Sequence, residues 1–167
     1  MIVSDEDAGS ARDPVGFARE IALRQLDVRA RSREELRRAL ARRNVPEEVA
    51  AEVLAWLAEV GLVDDAAFAR EWVAAGQRRL RSRTVLRNGL REKGVDTEVI
   101  AEALADSEGD DRDLALQFAR RKAPALRALD RQVAYRRLCG ALSRRGFGPG
   151  VVASVVAEVL AVGEEWD

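Results

Sequence analysis

Apolar residues stand at Leu36, Leu40, Val45, Val49 and Val53, in steps of four, five, four and four. Leu86, Leu90, Val95, Val99 and Ala103 repeat that register 50 positions later, and Leu138, Leu142, Phe147, Val151 and Val155 repeat it again. A step of four keeps residues on one face of an α-helix, and the step of five breaks the face. Each group therefore predicts two amphipathic helices joined by a tight turn. The residue before the third apolar position is Asn44, Gly94 or Gly146, the types that tolerate the left-handed conformation ending a helix. Pro46 and Pro149 are placed as first-turn residues of the helices that follow, and Asp96 as an N-cap. Ser32-Arg33-Glu34-Glu35 spells a capping box, and so predicts where the middle helix of the first copy begins.

A short word precedes each pair of helices: Phe17-Ala18-Arg19-Glu20, Phe68-Ala69-Arg70-Glu71 and Phe118-Ala119-Arg120-Arg121. Phe17 and Ile21, like Phe68 and Trp72, are four apart and share a helical face. The phenylalanines are expected as core anchors of a first helix, the alanines as points of close helix approach and the arginines as solvated neighbours. The first helix of the second copy follows Gly61 and is expected to be capped by Asp64 or Asp65. Nothing alternates with period two over any useful length. The expectation is an all-α fold of three tandem three-helix repeats, forming an elongated, curved helical array. Its parts are repeats at 14–61, 64–105 and 110–160, a disordered acidic N-terminal tail at 1–13 and a C-terminal tail at 161–167. The polar link Asp106–Asp110 is expected to be flexible.

The chain has 167 residues and a formal net charge of −1, an average that hides a strong pattern. Residues 29–43 hold seven arginines against Glu34 and Glu35, whereas 44–65 hold six acids and no base. The alternation recurs: 78–93 is basic, 94–113 acidic, 120–145 basic and 146–167 acidic. The basic blocks fall on the second helix of each repeat and the turn leading to it. Arg83, Arg87 and Arg91 are spaced by four and predict one exposed stripe, with Arg33 and Arg37 in the matching places of the first repeat. Arg43, Lys93 and Arg145 occupy one equivalent position, and Arg136, Arg137 and Arg144 carry the stripe in the third repeat. With Arg29, Arg31, Arg79 and Arg81 from the preceding turns, these residues form a candidate track for a phosphate backbone or another polyanion. Few aromatics interleave with them, which argues against recognition by base stacking.

Catalytic chemistry is poorly provided for. The chain has no histidine and one cysteine, Cys139, which excludes histidine-dependent triads, zinc fingers and redox pairs. Cys139 is expected to pack between helices. No phosphate-binding G-x-x-x-x-G-K-[ST] loop occurs, and the Gly146–Gly150 cluster reads as a turn. The pairs Asp64-Asp65 and Asp110-Asp111 stand at helix starts, where acids favour the N-terminal partial charge. No enzyme activity, cofactor or metal is expected. No run approaches 18 apolar residues, and MIVSDEDAGSARD lacks the apolar segment of a signal peptide. The single cysteine fits a reducing cytoplasm.

The stretches "ARSREELRRALARRNV", "GLVDDAAFAREWV", "LREKGV" and "VAYRRLCGALSRRGF" resemble the RecX family, bacterial regulators of the RecA recombinase, over about residues 18–160. The resemblance implies a non-enzymatic protein that binds RecA and its filament on single-stranded DNA; a monomer is expected. It further implies that the protein restrains filament growth, ATP hydrolysis and strand exchange, chiefly as an inhibitor. Two departures from the family pattern are Arg79-Leu80-Arg81-Ser82-Arg83, where a Lys-Gly-x-Gly-like stretch is usual, and Gly89, where an acid usually precedes Leu90. Gly89 is expected to weaken its helix by up to ~1 kcal/mol relative to Ala. The alternative reading is a stand-alone nucleic-acid-binding helical array with no recombinase partner.

Overall fold

The structure, a computed structural model, describes residues 13–161. The expected tails fall outside this range apart from Asp13 and Ala161, which lie at the two ends of the helical region. Nine helices and no strand occur among the described residues. They are α1 (Pro14–Val28), α2 (Arg33–Arg42), α3 (Glu47–Glu59), α4 (Asp65–Arg78), α5 (Arg83–Glu92), α6 (Thr97–Ala105), α7 (Asp111–Leu126), α8 (Arg131–Arg144) and α9 (Pro149–Ala161). The chain forms two compact units: one runs through Phe68 and includes Lys93–Val95, and the other holds Ala69–Glu92 and the chain from Asp96 onward.

Local signals in the sequence set most helix ends. The Ser32 hydroxyl accepts the Glu35 amide while the Glu35 carboxylate accepts the Ser32 amide, closing the capping box. Asp13, Asp96, Asp110 and Asp130 cap α1, α6, α7 and α8 through their carboxylates. Asp64 accepts the Ala67 amide at the start of α4, which leaves Asp65 available for another bond. Pro46 stands one residue earlier than expected, at the N-cap of α3. Asn44, Gly94 and Gly146 have φ of 59°, 70° and 86°. At Asn44 and Gly146 paired backbone bonds close the turn: Asn44 N–H to Ala41 and Val45 N–H to Leu40, then Gly146 N–H to Ser143 and Phe147 N–H to Leu142.

Two cores carry the first and third helical triplets. In the first unit Ala18, Ala22, Leu36, Leu40, Val53, Leu54 and Leu57 are sealed together. In the second, Leu114, Phe118, Ala119, Leu138, Leu142, Phe147 and Val155 are packed with Leu80 from the α4–α5 link. Cys139 packs against this core half-buried. The expected register holds, since Leu36, Leu40, Val53, Leu86, Leu90, Leu138, Leu142 and Val155 are all almost wholly buried.

One expectation about the repeated word fails. Phe68 and Phe118 are buried, but Phe17 is 38% exposed. The residue sealed in every copy is the alanine beside it: Ala18, Ala69 and Ala119 each have 0% exposure. Phe118 lies beneath the Arg145 guanidinium, 4.4 Å from the ring centroid, and shares its core with Leu80 from the preceding repeat. Among the described residues no repeat precedes α1, so Phe17 has no equivalent cover. Arg19 is also no solvated bystander, because its guanidinium stacks 4.4 Å over Trp56.

Candidate nucleic-acid interface

In the first unit much of the positive charge is neutralised where it stands. Glu35 accepts Arg29 at 2.7 Å and Lys93 at 3.0 Å. Burial raises its pKa, yet the Arg29, Ser32 and Lys93 hydrogen bonds outweigh that and lower it to about 2. Glu34 accepts Arg37 at 2.7 Å and Arg38 at 2.9 Å. The Arg37 bond leads in holding its pKa at about 2, against partial burial. Arg37 also lies 3.6 Å from Glu47. Arg31 donates to the Gln25 carbonyl. Of the candidates here, Arg33 and Arg43 are exposed and have no acidic partner among the described residues.

A second role of these residues was invisible in charge counts. Ser32, wholly buried, donates its hydroxyl to the Lys93 carbonyl at 2.5 Å, and the Arg33 amide donates to Asp65 at 2.9 Å. The second unit repeats the device 50 residues on. The buried Ser82 donates its amide to the Arg145 carbonyl at 3.3 Å, its hydroxyl accepts the Val85 amide, and the Arg83 amide donates to Asp111 at 2.8 Å. The second acid of each Asp pair thus anchors the start of a second helix.

The stripe Arg83, Arg87 and Arg91 does share one side of α5, along a groove bordered by Ile100 and Leu104 of α6. Its first member is not a free surface charge. The Arg83 guanidinium donates to the Leu104 carbonyl at 2.5 Å and to the Ser107 hydroxyl at 3.3 Å, closing the C-terminus of α6. Ser107 donates to the same carbonyl at 2.7 Å, so the link after α6 is tied down at this point. Arg87 and Arg91 lack acidic partners among the described residues.

Unneutralised positive charge gathers around a cleft of about 750 Å³ in the second unit. Arg78 ends α4; Arg79 and Arg81 flank Leu80 in the following link; Arg121 and Lys122 come from α7; Arg144 and Arg145 come from the end of α8. Val85 and Phe118 complete the lining, and no acid borders it. Leu80 takes φ of 54°, a left-handed conformation that costs a non-glycine residue roughly 1–2 kcal/mol. Burial of its side chain in the α7–α9 core opposes that cost. The turn in turn presents Arg79 and Arg81 on either side of an inward leucine. Arg145 donates to the Arg79 carbonyl and stacks on Phe118, so it serves as part of the cleft floor.

Four predicted residues, Arg79, Arg81, Arg144 and Arg145, therefore converge in space. Arg136 and Arg137 are exposed on α8 and do not border the cleft. Sequence reasoning passed over Arg78, Arg121 and Lys122. The run Arg120-Arg121-Lys122 signals two of them but sits on a first helix, as does Arg78 at the end of α4, away from the basic second helices. Among the described residues no group of acids and cysteine is placed to hold a metal ion, and no helix is long and apolar enough to cross a membrane.

Family models for the first, second and third three-helix domains of RecX match residues 18–57, 64–104 and 110–156. A regulatory protein RecX from Streptomyces coelicolor is 41% identical over 152 residues, spanning 89% of this chain and 80% of that protein. The chain belongs to the RecX family. The Thermobifida fusca regulatory protein RecX is 40% identical over 164 residues, covering 95% of this chain and 89% of its own. The crystal structure of RecX from Lactobacillus salivarius shares the fold, with a TM-score of 0.74 over 88% of this chain and 97% of that one, at 18% identity. The all-α architecture of three three-helix RecX domains is thereby established, and with it a family whose named members are regulatory proteins.

Proposed function

We propose that this RecX protein is a non-enzymatic, cytoplasmic modulator of the RecA recombinase. It acts as a monomer, binds the RecA filament on single-stranded DNA, and restrains filament growth, ATP hydrolysis and strand exchange. The observation that carries the reading is family membership across all three domains. Charge supports it: a protein of net charge −1 gathers seven bases and no acid around one cleft, an arrangement suited to a polyanionic assembly. Such a protein works by occupying a surface, so it requires no reacting group. The test is RecA ATP hydrolysis on single-stranded DNA with increasing amounts of the protein. The rate is expected to fall as the protein approaches the RecA concentration; a rate unchanged at excess protein contradicts the proposal.

A stand-alone nucleic-acid-binding role is the second reading, favoured by the same cleft because its charges need no partner protein to be displayed. It predicts tight DNA binding with no effect on RecA.

A further inference from the structure

We infer that the cleft between the α4–α5 link, α7 and the end of α8 is a discrete binding site for the sugar–phosphate backbone of a nucleic-acid strand. It grips about two or three consecutive phosphates. This places the DNA contact of the proposed function in the second unit, and it holds or fails without any recombinase present.

Three observations lead there. Arg79, Arg81, Arg121 and Arg144 are exposed around one concavity and have no acidic partner among the described residues. Around Glu34 and Glu35 of the first unit, by contrast, the bases are paired off within the chain. The cleft is also built. Arg145 is held between the Phe118 ring and the Arg79 carbonyl, the Lys122 ammonium lies 5.8 Å from the centroid of that ring, and Leu80 is locked inward. The floor beneath the cations is therefore in place before a strand binds.

The chemistry of the floor selects the occupant. Phe118 and Leu80 are the large apolar groups in the lining, and both are buried, at 6% and 5% exposure. Neither is offered for base stacking, and neither leaves a pocket for the apolar anchor that a tightly bound acidic peptide needs. What remains is a surface of guanidinium and ammonium groups that matches phosphates and ignores base identity. Binding through this site is accordingly independent of sequence and steep in salt.

The experiment measures fluorescence anisotropy of a labelled mixed-sequence single-stranded oligonucleotide over a salt series, without RecA. Arg81→Glu combined with Arg121→Glu is compared with the wild type and with Arg24→Glu combined with Arg42→Glu, which makes the same charge change on exposed residues of the first unit. Arg81→Gln with Arg121→Gln serves as a milder pair, and thermal unfolding of each variant reports its folding. The cleft variants are expected to bind about tenfold or more weakly, with a log–log salt slope shallower by about 1.4, corresponding to two lost phosphates at ~0.7 each. The first-unit variant should stay within about threefold, because its charges do not line the cleft. Folded cleft variants that bind like wild type overturn the inference, as does an equal loss in the first-unit variant. Labelled poly-glutamate of equal length binding more tightly than the oligonucleotide assigns the cleft to an acidic peptide and also overturns it.

Discussion

The hydroxyl of Ser32 donates to the carbonyl of Lys93, 2.5 Å away and 61 positions along the chain. One buried side chain therefore both starts α2, by accepting the Glu35 amide, and fastens the turn after α5 to it. Ser82 and Arg145 hold the same relationship through their main chains in the second unit. The 50-residue sequence period is thus a period of joints as much as of helices.

Ser32→Ala removes an N-cap acceptor and leaves the Lys93 carbonyl without its donor. It is expected to cost about 1–3 kcal/mol, read as a lower urea midpoint with an unchanged slope. A midpoint equal to wild type would show that the joint contributes nothing.

Arg83 and Arg87 look interchangeable in the sequence but occupy different situations. Arg83→Gln breaks a charged hydrogen bond to the Leu104 carbonyl and is expected to cost roughly 1.5–3 kcal/mol. Arg87→Gln is expected to stay within about 0.5 kcal/mol. Denaturant titration of the two single variants separates them. Charge reversal at Arg83 consequently confounds stability with binding and is a poor probe of the interface.

Helix propensity alone makes Gly89→Ala stabilising by up to ~1 kcal/mol. The structure reverses the sign, because a Cβ at Gly89 would lie 2.7 Å from the Trp72 ring. Calorimetry should show a lower Tm for Gly89→Ala; a higher one would mean the ring yields freely.

Glu34 and Glu35 have folded pKa values lowered to about 2 from an ordinary 4.5. Protons therefore bind the unfolded chain more readily, and the stabilisation these groups give is complete above pH 4.5 and is lost as pH falls toward 2. Unfolding free energy measured across that window should decline in the wild type. The decline should be shallower in Glu35→Gln, and an identical pH profile would contradict the assigned ion pairs.

The helical register was legible because steps of four and five leave no other regular structure, and Asn44, Gly94 and Gly146 marked their turns by needing positive φ. Phe17 misled because it shares a spelling with Phe68 and Phe118, while its burial depends on a covering residue that a repeated word does not encode. Charge blocks located the basic segments correctly. They could not tell which bases are paired: Arg37 meets Glu34 and Lys93 meets Glu35 through folding, while Arg79 and Arg121 meet in one cleft. Leu80 in a left-handed turn was illegible, since nothing local asks leucine to adopt it.

Regulation of RecA on single-stranded DNA is decided by co-sedimentation with RecA–single-stranded DNA filaments, set against DNA alone at the same salt. The protein is expected to pellet with filaments well beyond its recovery with DNA alone, and Arg81→Glu with Arg121→Glu to reduce that recovery. Equal recovery with filaments and with bare DNA would contradict it and leave a nucleic-acid-binding protein with no recombinase partner.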